Sequence, residues 1–209
     1  IEETAPPQTL EEQVEQYLGD MTLEEKVAQL FVITPEAITH VETVTAAGET
    51  TRKAMEEYPV GGFVYMKANL VSESQTRKML GNVQEYAQEI TGLPVFLSVD
   101  EEGGTVARVA KNDGFSVEDV GDMADIGASG DTGKAYEVGE TIGTYLSDLG
   151  FNLDFAPDAD VLTNPDNAVI GVRSFGSDSQ LVSDMVLAEM DGLSDAGVLS
   201  CVKHFPGHG

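Results

Sequence analysis

Short apolar runs rich in β-branched residues alternate along the chain with longer stretches whose apolar positions recur at helical spacing. This alternation predicts parallel strands with helices packed outside them. The predicted strands are residues 30–34, 62–66, 94–100, 151–156 and 199–205. Each is apolar along most of its length, as expected for strands covered on both faces.

Helix boundaries support the same count. Thr22 with Glu25 and Ser72 with Gln75 have capping-box spacing, and Asp131 and Asp178 precede periodic apolar residues as N-caps. Gly92, Gly150 and Gly197 follow three of the helices, where a left-handed residue is favoured, and each stands just before the next strand.

A closed barrel and a doubly wound sheet share this rhythm, since both are built from right-handed βαβ units. No G-x-G-x-x-G follows the first strand, and the polar loops come after several strands instead of one switch point. The expected fold is therefore α/β, a (β/α)8 TIM-barrel type with about the first five βα units present. Residues 1–12 read as a polar tether and residues 13–209 as the barrel domain, truncated because 209 residues fall short of the roughly 250 of a complete barrel.

Composition narrows the function classes. Hydrophobic residues at 41% and charged residues at 23% describe a globular chain, not a disordered one. Lys and Arg number 11 against 37 Asp and Glu, and the net charge of -26 repels phosphate backbones and anionic membranes. No nucleic-acid partner is expected. No apolar run is long enough to form a transmembrane segment. The lone Cys201 forms no internal disulfide and has no metal-ligating cluster around it. Ile1 is not an initiator Met, and the start IEETAPPQTLEE reads as a tether left after an export signal is removed, favouring an exported or cell-surface protein.

In parallel α/β proteins ligands lie beyond the C-terminal strand ends, so polar groups there carry the chemistry. Asp100 ends the third strand, and the pair Gly103-Gly104 that follows would let backbone approach a ligand. Asp100 offers two acceptor oxygens to a pair of sugar hydroxyls, or alternatively caps a turn or pairs with Arg108. Asp154 lies in the fourth strand and Asp158 and Asp160 just after it, and structural hydrogen bonding inside the barrel mouth explains these acids at least as well as catalysis does, so they stay outside the active set. Arg173 is a rare cation in the next loop, suited to bidentate contacts with sugar oxygens or to an ion pair with a nearby acid. Lys203 and His204 end the fifth strand, where both can donate to a polyhydroxylated ligand. His204 and His208 make no metal pair of the i,i+4 helical kind, because Pro206-Gly207 prevents a helix.

The segments DMTLEEKVAQLF (residues 20–31), SVDEEGGTVAR (98–108), GFNLDFAPDADV (150–161), IGVRSFGSD (170–178) and KHFPGHG (203–209) occur in one order. In that order they resemble the N-terminal part of glycoside hydrolase family 3. The Pro-Gly-His-Gly continuation resembles its β-N-acetylhexosaminidase branch. By that resemblance Asp100, Arg108, Arg173, Lys203 and His204 match positions that hold the non-reducing sugar. The acid/base His, the Asp that holds it and the Asp nucleophile are expected beyond Gly209. Two positions depart from the family pattern: Thr105 stands where Arg is common, and Glu101 replaces Gln, which would alter subsite charge.

The resemblance implies a retaining glycosidase that removes terminal β-linked N-acetylhexosamine, GlcNAc above all, from oligosaccharides such as peptidoglycan fragments, with no cofactor. The chain alone would then be inactive. The alternatives are a phosphorylase of the same branch and a non-catalytic sugar-binding fragment. Five strands without closure would also leave two open sheet edges through which copies could associate.

Overall fold

The computed structural model describes residues 8–209. Helix α1 (Leu10–Asp20) opens on a capping box between Thr9 and Glu12, a signal passed over in the sequence. Residues 1–7 of the expected tether lie outside the described residues, and residues 10–12 form the first turn of this helix.

The αβ rhythm follows. Helix α2 (Leu23–Ala28) leads into β1 (Val32–Ile33), then α3 (Pro35–Thr39) and α4 (Glu49–Glu57) precede β2 (Gly62–Val64). The long helix α5 (Glu73–Thr91) delivers β3 (Phe96–Val99), which continues into a hairpin of β4 (Glu101–Gly103) and β5 (Val106–Ala107). Helices α6 (Met123–Ala128) and α7 (Thr132–Leu149) precede β6 (Leu153–Asp154), and α8 (Ser179–Asp195) precedes β7 (Leu199–Ser200).

The five expected strands form one parallel sheet in the order β1-β2-β3-β6-β7. Adjacent strands follow one another around the sheet without a reversal of order, which is the arrangement of a barrel wall and not of a doubly wound sheet. The predicted caps are present: Thr22 and Ser72 make reciprocal capping boxes, and the Asp131 and Asp178 side chains accept N–H groups of their own helices. Gly92, Gly150 and Gly197 take φ of 72°, 99° and 85°, the left-handed region in which a Cβ is costly.

The core lies between sheet and helices. Phe63, Leu97 and Val99 of the central strands pack with Met79, Leu80 and Val83 of α5 and with Ile142 and Leu146 of α7. Complete burial of a side chain of this kind contributes about 1.5–3 kcal/mol. Helices α7 and α8 approach so closely that a Cβ on Gly139 would stand 2.1 Å from the Glu189 carbonyl oxygen, and one on Gly192 2.2 Å from that of Tyr136.

The outer strands are less covered than their apolar sequences suggest. Leu30, Phe31 and Val32 at the β1 edge and Leu199 and Val202 at the β7 edge are exposed. An apolar groove of about 510 Å³, lined by Leu23, Val27, Phe31, Ile33 and Tyr58 among others, runs beside β1. Among the described residues, no helix is long and apolar enough to cross a membrane.

Two local readings change. The Gly103-Gly104 pair serves the hairpin turn, with φ of 86° and 51°, and a Cβ on Gly104 would stand 2.9 Å from Asp122 Cα. The pair is packed against protein, not opened toward a ligand. Glu101 is fully buried beneath the hairpin, where its carboxylate accepts the Val109 and Ala110 N–H groups and the Tyr145 hydroxyl. It therefore fixes the segment carrying Arg108 instead of facing a subsite. Burial pushes its pKa up, against the pull of those donors.

Candidate active site

The C-terminal ends of β3, β6 and β7 converge on one mouth. Asp100, Glu102 and Arg108 come from the end of β3 and its hairpin, and Asp158 and Asp160 from the segment after β6. Arg173 closes a 3₁₀ turn at Gly171–Arg173. Lys203 keeps the β6 and β7 chains together past their regular pairing. Its N–H donates to Pro157 at 3.2 Å, its carbonyl accepts from Ala159 at 2.8 Å, and it forms a parallel bridge with Asp158. The Pro206-Gly207 break then turns the chain back along a cleft of about 390 Å³ lined by Asp160, Lys203 and His204.

One series of polar contacts crosses this mouth. Lys203 Nζ lies 2.7 Å from Asp100 Oδ1 and 2.5 Å from Glu102 Oε1. Arg173 donates to Glu102 twice, from Nε to Oε2 at 2.7 Å and from Nη2 to Oε1 at 2.9 Å. The same Nη2 is 3.2 Å from His204 Nε2, and His204 Nδ1 is 2.6 Å from Asp160 Oδ2. Asp160 Oδ1 accepts the His208 N–H at 2.5 Å and the Gly209 N–H at 3.3 Å. Arg108 stands at the rim, its Nη2 4.0 Å from Asp100 Oδ2.

Burial decides how these charges behave. Glu102 is 1% exposed and pairs there with two cations, Arg173 and Lys203, as a buried acidic side chain requires. For Lys203 burial works against the charge, but Glu102 and Asp100 outweigh it and raise the pKa. Burial lifts Asp158 to about 6, helped by the charges of Asp160 and Glu102. Asp160 goes the other way: burial pushes it up, but the hydrogen bonds from His204 and the His208 N–H prevail and hold it below its ordinary value.

Behind the mouth are two further buried acids. Asp154 accepts the Glu101 N–H at 3.0 Å through one oxygen, and burial holds its pKa well above the ordinary value. Glu189 of α8 has neither carboxylate oxygen hydrogen-bonded, and burial, with Glu102 and Asp158 near, pushes it up to about 8.

Asp158, Asp160 and His204 bring ligand atoms within 4.8 Å of one another, a spacing that could hold a metal ion. The 2.6 Å contact between His204 Nδ1 and Asp160 has hydrogen-bond length, however, so a cation there would displace a proton, with the Arg173 guanidinium already on the other ring nitrogen.

All five residues singled out in the sequence, Asp100, Arg108, Arg173, Lys203 and His204, meet at this mouth. The alternatives set beside two of them are also realised, since Arg173 pairs with an acid and Arg108 stands near Asp100. Asp158 and Asp160, read as structural hydrogen-bonding groups inside the barrel mouth, lie there in that role, and the residue that sequence reasoning missed is Glu102, which joins the two cations. The available signal was two-residue spacing, because Asp100 and Glu102, and Asp158 and Asp160, fall on one side of an extended chain.

Comparison with known proteins shows the family. Residues 22–209 match the glycosyl hydrolase family 3 N terminal domain. β-Hexosaminidase A of Pseudoalteromonas piscicida is 39% identical over 160 residues, covering 74% of this chain and 26% of that protein. β-Hexosaminidase LpqI of Mycobacterium tuberculosis is 34% identical over 185 residues, covering 88% of this chain and 43% of that protein. The structure of a family 3 β-N-acetylglucosaminidase from Paenibacillus sp. str. FPU-7 superimposes with a TM-score of 0.80 at 40% identity, covering 90% of this chain and 34% of that one. The chain thus spans less than half the length of these relatives, and the portion it spans belongs to glycoside hydrolase family 3 as its N-terminal domain.

Proposed function

We propose that the whole protein removes terminal β-linked N-acetylhexosamine, GlcNAc in particular, from oligosaccharides such as peptidoglycan fragments, by a retaining mechanism. The observation that carries this reading is the gathering of Asp100, Arg173, Lys203 and His204 around one mouth at the C-terminal strand ends. A sugar ring presents hydroxyls that both donate and accept. Asp100 supplies acceptors, while Lys203 and Arg173 supply donors already held in place by Glu102. The names of the relatives, β-hexosaminidase and β-N-acetylglucosaminidase, support the same substrate class.

In this reading the present residues bind and orient the terminal sugar. The Asp nucleophile and the acid/base His belong to the family pattern beyond Gly209. Cleavage passes through a covalent glycosyl intermediate that water resolves. No cofactor takes part.

The test is to incubate the whole protein with a chromogenic β-N-acetylglucosaminide, with and without phosphate. Free GlcNAc in both conditions supports the hydrolase. GlcNAc 1-phosphate formed only with phosphate would replace it by the phosphorylase, and binding without release by a sugar-binding module. By itself the 209-residue chain would associate through its open β1 and β7 edges. Sedimentation as a concentration-independent monomer would contradict that expectation.

A further inference from the structure

We infer that Asp160 is a positioning residue: it fixes His204 in the Nδ1–H tautomer and ties that ring to the backbone of His208 and Gly209, so that the imidazole and this backbone are held as one unit. The inference concerns the ligand-free protein, and only its consequence for sugar affinity rests on the reading above.

The tautomer follows from the partners. A guanidinium has donors and no acceptor, so the 3.2 Å contact between Arg173 Nη2 and His204 Nε2 requires a lone pair on Nε2. Only a neutral ring with its proton on Nδ1 offers one there. That proton points at Asp160 Oδ2, 2.6 Å away, and an ionised carboxylate is an acceptor only. Donors and acceptors then match from Asp160 through His204 and Arg173 to Glu102.

Asp160 is suited to impose this order because it cannot turn. Its side chain is 1% exposed, its N–H donates to Asp158 Oδ1 at 2.9 Å, and its carbonyl accepts from Ser174 Oγ at 2.6 Å. Its second oxygen is committed to the N–H groups of His208 and Gly209. All three side-chain partners are donors, so the carboxylate serves the ring and the His208-Gly209 backbone together.

An isosteric amide cannot do both. If Asp160→Asn keeps its oxygen toward His208 and Gly209, its NH2 faces Nδ1, and the ring proton must move to Nε2, donor against donor with Arg173. If it turns its oxygen to His204, its NH2 opposes the two backbone N–H groups. Either orientation loses a contact that the carboxylate makes.

The experiment records long-range ¹H–¹⁵N spectra of the whole protein labelled at histidine, without sugar and at neutral pH, with His204 assigned by its loss in His204→Gln. The wild type should carry its proton on Nδ1 alone. Asp160→Asn should shift it partly or wholly to Nε2 and weaken GlcNAc binding about tenfold. A wild-type ring protonated on Nε2, or on both nitrogens, overturns the inference, as does an unchanged Nδ1–H ring in Asp160→Asn. Should that variant fail to fold, the wild-type spectrum alone decides. A wild type that shows the Nδ1–H ring but binds no GlcNAc would overturn the sugar reading and leave the positioning role standing.

Discussion

Arg173 and Glu102 meet through two hydrogen bonds, at 2.7 and 2.9 Å, with the glutamate side chain 1% exposed and the arginine side chain 11% exposed. The planar fork of the arginine matches both carboxylate oxygens, and Lys203 adds a second cation to the same acid. Neither cation is therefore free to swing with solvent, which is the condition for presenting fixed donors to a ligand.

Glu102→Ala leaves two partly buried cations without their shared acid. Removing one partner of a buried ion pair costs about 3–5 kcal/mol, so the expected result is a clear drop in melting temperature of the whole protein together with weaker GlcNAc binding. Calorimetry checks both, and an unchanged melt would mean that the pair does not hold the mouth.

The sequence disclosed the barrel wall because each βα unit is a local pattern. Apolar runs, Thr22 and Ser72 caps, and Gly92 and Gly150 C′ positions all lie within a few residues of what they control. Glu102, and the partners of Asp158 and Asp160, were hidden because their meaning is a matter of distance in sequence. Glu102 and Arg173 are 71 residues apart, and Asp160 and His204 are 44 apart. In a chain with 37 acids, no single acid stands out until the fold supplies its cation.

The Gly103-Gly104 turn was misread for a related reason, since the Asp122 backbone that crowds it comes from another loop. Gly104→Ala must take φ of 51° with its Cβ 2.9 Å from Asp122 Cα, and a loss of about 1–3 kcal/mol is expected in denaturant unfolding. An unchanged midpoint would show that the hairpin can relax away from Asp122.

Glu189 gives a stability that depends on pH. Its folded pKa of about 8 lies above the ordinary 4.5, so the folded state holds the proton more tightly than the unfolded state does. The neutral acid favours the fold fully below about 4.5, and this contribution is lost as pH rises through 8. Glu189→Gln should be neutral near pH 4 and stabilising above pH 8, by about 1–3 kcal/mol. It should also flatten the fall in melting temperature between them, leaving the slope due to Asp154. An identical pH dependence in the variant would contradict this.

The central claim is that the mouth holds a terminal N-acetylhexosamine through its fixed cations. The most direct measurement is calorimetric titration of GlcNAc into the whole protein and its Arg173→Ala variant, each confirmed folded by its melt. Loss of the charged donor should raise Kd about tenfold or more. An unchanged Kd in a folded variant would contradict the account.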